Sequence, residues 1–163
     1  MIKDVIIITG PTAVGKSEIA VTVAKKIGGE IISADSMQIY KGLDIGSGKI
    51  TSEEMQGVKH YLLSFKNIKQ TYSVAEFCED CKKLIKEIML KGKVPIVVGG
   101  TGLYIKALVN DYNYFGVKRD DELRAKLESY AENKGLAELY NMLKKLSPTM
   151  AEKIYPTDKK RIV

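Results

Sequence analysis

One histidine, a single pair of cysteines and no long hydrophobic run mark what this sequence has little of, and each scarcity removes a class of function. The longest apolar stretch near the start, Val5, Ile6, Ile7 and Ile8, is far short of a membrane span of roughly 18 residues and of a signal-peptide core. The reading is a cytoplasmic protein with no membrane partner. Zinc sites of the usual spacings need a second Cys or His pair; beside Cys78 and Cys81 there is only His60. The Cys78-x-x-Cys81 spacing belongs instead to a helical stripe with Val74, Phe77, Leu84, Ile85 and Ile88. Residues three and four apart share a helix face, and reduced cysteine packs as a small hydrophobe. The two thiols are therefore expected to be structural. Internal repeats and low-complexity segments are also missing.

What remains is an ordinary globular composition, 45% hydrophobic and 28% charged, in 163 residues, enough for one domain with a real core. The net charge of +6 and pI near 9.1 permit a polyanionic partner without requiring one. Strand and helix signals alternate. Val5 to Thr9 is a β-branched run of the kind buried on both faces of a parallel sheet. A helical stripe of Ile19, Ala20, Val23, Ala24 and Ile27 follows, ended by Gly28-Gly29. Short strands are expected at 30–34 and 94–98, with a brief one at 61–63. Between 36 and 57 the chain reads as loop. Ser73 and Glu76 form a capping box, and Tyr72 and Phe77 a hydrophobic staple, predicting a helix over 73–91. Another helix is expected over 103–109. Beyond residue 111 only helical patterns appear, at 120–134, 136–146 and 149–154.

Strands joined by helices imply an α/β fold with a parallel sheet, whose ligands bind where the strands end. Three loops leave those ends, at 10–17, 35–40 and 99–102. The first, Gly10, Pro11, Thr12, Ala13, Val14, Gly15, Lys16 and Ser17, is a complete Walker A sequence between a strand and a helix. Its glycines let backbone N–H groups turn toward phosphate oxygens, and the helix N-terminus adds positive potential. Lys16 is a cation for the outer phosphate, and the Ser17 hydroxyl a ligand for Mg2+. The motif does not name the reaction. The strand at 94–98 runs into Gly99-Gly100-Thr101-Gly102 and carries no acid at its end; the strand before Asp35 does.

Taken together, Gly10 to Ser17, Asp35-Ser36-Met37-Gln38-Ile39-Tyr40, Leu43-Asp44-Ile45-Gly46 and the run Val94 to Ile105 resemble the signature blocks of the tRNA dimethylallyltransferase family. The likeness continues through Asp121-Glu122-Leu123-Arg124 to Asp158-Lys159-Lys160-Arg161-Ile162-Val163, so it covers the whole chain in order. The resemblance implies a P-loop NTPase-like fold and transfer of a dimethylallyl group from dimethylallyl pyrophosphate to N6 of the adenosine 3′ of the anticodon in tRNA. It implies that Thr12 to Ser17 hold the pyrophosphate, with Ser17 on Mg2+. Thr101 would donate to the bridging oxygen, and Asp35 would accept from the attacking amine. Ser36, Met37 and Gln38 would line the pocket of an adenine taken from its stack. Arg124 and the segment Lys159, Lys160, Arg161, Ile162 and Val163 would touch the tRNA anticodon stem-loop. The expected state is a monomer.

The expected organisation is a P-loop core over 1–110, a helical insertion-type segment over 111–157, and a return to the core beginning over 158–163. Members of the family continue beyond the position of Val163, so the resemblance implies a chain truncated on that side and lacking part of the tRNA grip. The sequence departs from the family pattern at Ser47-Gly48-Lys49-Ile50, at His60-Tyr61 and at Ser147-Pro148. Two other reactions stay open on the residues: prenylation of free adenylate, and phosphoryl transfer by a small-molecule kinase. The second should bring an arginine-rich lid, and none is visible.

Overall fold

The computed structural model describes residues 5–110 and 120–163, and divides the chain into a unit of 1–113 and a unit of 114–163. The opening of the expected helical segment, 111–119, lies outside the described residues. In the first unit the order is β1 (Ile6–Thr9), α1 (Lys16–Ile27), β2 (Gly29–Ser33), α2 (Ser52–Met55), β3 (His60–Tyr61), α3 (Val74–Leu90), β4 (Val94–Gly99) and α4 (Gly102–Val109). The strands form a parallel sheet in the order β1-β4-β2-β3. The brief strand read at 61–63 is present one residue earlier, and α2 occupies part of the stretch read as loop.

Side-chain alternation along the strands builds two cores. Ile31, Ile96 and Val98 pack with Ala20, Val21 and Ala24 of α1 on one face. Ile32 and Val97 face Phe77, Cys81, Ile85 and Ile88 of α3, with Tyr104 and Ala107 of α4, on the other. This is a three-layer α/β arrangement. Both cysteines are buried in α3, and burial pushes the Cys81 thiol up to about 12. The capping box at Ser73 forms in both directions, with Glu76 N donating to Ser73 Oγ at 3.2 Å and Ser73 N donating to Glu76 Oε2 at 2.8 Å. Phe77 stacks on Tyr104 with centroids 4.3 Å apart, tying α3 to α4.

Gly99 sets how closely the ends of β2 and β4 approach. A Cβ there would stand 2.2 Å from the Ala34 carbonyl oxygen, so only glycine fits. The second unit contains α5 (Asp121–Lys134), α6 (Leu136–Leu146), α7 (Pro148–Ala151) and α8 (Lys159–Ile162) around its own cluster of Ala131, Leu139, Tyr140 and Ala151. The α8 turn, in the stretch read from the sequence as a return to the core, adds Ile162 to that cluster.

Candidate active site

The loop between β1 and α1 is shaped by two left-handed residues, Ala13 at φ 64° and Gly15 at φ 78°. Gly15 is the N-cap of α1 and supplies no side-chain cap, so the first backbone N–H groups of the helix are left for an anion. Lys16 folds back with its ammonium on the Pro11 carbonyl. A Cβ on Gly100 would stand 3.9 Å from Lys16 Nζ, which places the end of β4 beside the loop.

At the end of β2, Asp35 closes a tight turn. Its Oδ1 accepts from Met37 N at 2.8 Å and Gln38 N at 3.3 Å. Among the described residues its hydrogen bonds are all made through Oδ1, which leaves Oδ2 for another group. Thr101 is the N-cap of α4 but does not cap it. Its Oγ1 instead accepts from Ser36 N at 3.0 Å and donates to Ser36 Oγ at 3.3 Å. The turns after β2 and β4 are thus fastened to each other.

These elements enclose a cleft of about 540 Å3 lined by Thr12, Ala13, Val14, Gly15, Lys16 and Ser17 on one side and by Asp35 and Gln38 on the other, with Gly99 and Gly100 between. Gly10, Pro11, Ser36, Met37 and Thr101 are not among its lining residues, although Ser36 and Thr101 meet directly beside Asp35. The remaining wall is formed by Ser47, Gly48, Ile50, Glu54 and Gln56, which the sequence reading does not assign to a site. A readable signal is present all the same. Thr51 and Glu54 make a second capping box, with Glu54 N donating to Thr51 Oγ1 at 3.2 Å, and this starts α2 on the rim of the cleft.

For Mg2+ the cleft lining offers hard oxygen donors, the Ser17 hydroxyl and the carboxylates of Asp35, Glu18 and Glu54, but no cluster of three acidic, His or Cys side chains among the described residues. That fits an ion that keeps most of its waters and is shared with a ligand's phosphates. His60 stands off the cleft. Its Nδ1 lies 2.8 Å from the Val58 carbonyl, and burial lowers its pKa.

The other predicted residues belong to the second unit. Arg124 donates from Nη2 to the Lys160 carbonyl at 3.2 Å, so the two segments do come together there. Lys159, Lys160 and Arg161 are exposed, while Ile162 is buried in the unit's cluster. Lys159 pairs with Glu132 and Arg161 with Asp158.

Residues 38–163 match the IPP transferase family (IPPT). The chain belongs to that family. Over its whole length it is 50% identical to a tRNA dimethylallyltransferase of Carboxydothermus hydrogenoformans, so the loop before residue 38 is included in the likeness. A crystal structure of the full-length tRNA isopentenylpyrophosphate transferase of Bacillus halodurans matches 98% of this chain with 42% identity and a TM-score of 0.69, using 53% of that protein. A eukaryotic dimethylallyltransferase acting on tRNA matches 97% of this chain with 34% identity and a TM-score of 0.79, using 39% of its own chain. The chain spans about half the length of the curated relatives it matches, 52% in the case of the Carboxydothermus protein.

Proposed function

We propose that this chain carries the donor-binding and catalytic part of a tRNA dimethylallyltransferase. The observation that carries the reading is one cleft in which a phosphate loop faces a strand-end carboxylate, Asp35, while β4 ends in Gly99 and Gly100 instead of an acid. Pyrophosphate sits on the α1 N-terminus and Lys16, and the Ser17 hydroxyl would hold Mg2+, which would offset part of the pyrophosphate charge. The acceptor is the exocyclic amine of an adenine extruded from the anticodon loop. Its lone pair is delocalised into the ring, so alignment and proton removal both matter.

In the transfer, a bond forms between N6 of the adenine and C1 of the dimethylallyl group, the C1–O bond breaks with its electron pair leaving on pyrophosphate, and the amine proton passes to Asp35. Thr101 serves the leaving group. A hydroxyl has one proton and two lone pairs; accepting from Ser36 N fixes the oxygen and lets the proton turn from Ser36 Oγ toward the bridging oxygen. Arg124 and the α8 segment with Lys159, Lys160 and Arg161 grip the RNA backbone. The place of action is the cytoplasm.

The test incubates the full-length protein, Mg2+ and labelled dimethylallyl pyrophosphate with an unmodified anticodon stem-loop bearing the target adenosine. Label is expected on the RNA. Label on free AMP alone would favour the nucleotide acceptor, and γ-phosphate transfer from ATP without prenyl transfer would favour a kinase.

A further inference from the structure

We propose that Lys49 is a positioning residue that builds the acceptor-side wall of the cleft, acting through the loop it holds and never touching substrate. The proposal rests on the prenyl-transfer reading above. The Lys49 side chain is only 7% exposed, although its cleft-side neighbours Ser47 and Gly48 belong to a surface loop. Its ammonium donates to the Tyr40 carbonyl at 2.7 Å, to Ser64 Oγ at 2.8 Å and to Asp44 Oδ1 at 2.6 Å. Each proton has an acceptor, and the acceptors come from two stretches of chain, 40–44 and residue 64. Burying an ammonium is costly even when it is paired, and this one contributes to neither apolar core.

The bonding around Lys49 shows what the cation fixes. Lys49 directly follows Gly48, and the carbonyls of Ser47 and Gly48 each accept from Gln38 Nε2 at 3.3 Å. The backbone of Gln38 donates to Asp35 Oδ1, and its carbonyl accepts from Ser64 N at 3.0 Å. Ser64 itself is held at φ 49°, a conformation that needs an outside restraint. Lys49, Ser64, Gln38 and Asp35 therefore form one bonded chain that runs from the wall to the carboxylate. None of these hydrogen bonds reaches the phosphate loop. Loss of Lys49 should loosen the wall beside Asp35 and leave the phosphate grip alone.

The experiment uses the full-length protein with Lys49→Met and, as a second and milder variant, Asp44→Asn, whose side chain is 64% exposed. Inorganic pyrophosphate is titrated calorimetrically, amide exchange is followed over 10–17 and 43–50, and prenyl transfer to the stem-loop is split into KM and kcat. Lys49→Met is expected to speed exchange over 43–50, to raise KM for the RNA by about tenfold, and to leave the pyrophosphate Kd within about twofold. Asp44→Asn should move the same quantities in the same direction by less. If pyrophosphate affinity falls in step with KM, Lys49 is a general structural residue and the proposal fails. It fails also if exchange over 43–50 rises while KM stays unchanged. Absence of transfer by the unaltered protein would overturn the prenyl-transfer reading itself, a result distinct from any failure of the variants.

Discussion

Glu30 and Asp35 stand at opposite ends of β2, and their surroundings differ in kind. Glu30 is 3% exposed, and its carboxylate is fully engaged: Tyr61 Oη and Lys93 Nζ each donate at 2.7 Å, and Lys91 Nζ lies at 3.5 Å. Asp35 is half-buried, binds among the described residues through Oδ1, and lines an open cleft. One end of the sheet is a closed electrostatic lock. The other has, among the described residues, a carboxylate oxygen outside any hydrogen bond, a helix without a side-chain cap and left-handed backbone. Paired groups stabilise the fold at the first end, and unpaired ones leave chemistry possible at the second.

The largest effect that would sharpen this contrast is on transfer rate. Asp35→Asn keeps an oxygen for Met37 N and Gln38 N but removes the proposed proton acceptor. Single-turnover transfer is expected to fall by roughly 100- to 10,000-fold, with pyrophosphate affinity changed less than about threefold. An unchanged rate would strip Asp35 of its role. Lys16→Ala should do the reverse, weakening pyrophosphate first.

Next comes Gly99→Ala. The added methyl would meet Ala34 backbone, at 2.2 Å from its oxygen and 2.4 Å from its carbonyl carbon, and neither can swing away. Denaturant titration should show a loss of about 3 kcal/mol or failure to fold, at the upper end of overpacking costs. Gly100→Ala is the control, because its methyl would find only the Gly10 oxygen at 3.5 Å and Lys16 Nζ at 3.9 Å. Equal stability of the two variants would show that the close approach of β2 and β4 is not what aligns their ends.

At the locked end, burial raises the Glu30 pKa, but the Lys93 and Tyr61 hydrogen bonds and the charges of Lys91 and Lys93 outweigh it and bring the group down to about 2 from an ordinary 4.5. A folded value below the unfolded one adds stability that is complete above about pH 4.5 and is lost as pH falls toward 2. The contribution is on the order of 3 kcal/mol. Glu30→Gln should flatten the fall of stability with pH in that window and leave the transfer chemistry untouched. A wild-type slope retained in the variant would place the acid sensitivity elsewhere.

Most of the active end is legible in the amino-acid sequence alone. The Walker loop is a contiguous signal flanked by a strand and a helix, and the Ser73 cap and the Cys78-Cys81 stripe are likewise local. Lateral relations are not legible in this way. Nothing within 30–34 says that β4 lies between β1 and β2, or that Lys93 and Tyr61 converge on Glu30, because sheet order and long-range ion pairs are settled by packing across distant segments. In the sequence Lys49 is one basic residue inside a stretch that otherwise departs from the family pattern; its burial depends on Ser64 and Tyr40. The Thr51 box is local, but the glycines around it mask the short helix α2.

The smallest effect tests whether the strain at the active end is useful. Ala13 holds φ 64°, where an L-residue with a Cβ costs about 1 to 2 kcal/mol. Replacing it with glycine relieves that cost but enlarges the unfolded ensemble by about 0.4 to 1 kcal/mol. The relieved strain equals or exceeds the entropic term, so Ala13→Gly should leave the melting temperature unchanged or raise it by a few degrees. Binding responds differently, since a stiff loop gives up less freedom when it closes on an anion. Pyrophosphate affinity of Ala13→Gly is therefore expected to fall by about two- to threefold. Equal or tighter binding would mean that the left-handed alanine only accommodates the turn and does not pre-shape the cradle; no comparable response is expected at the locked end, where the polar groups already bind one another.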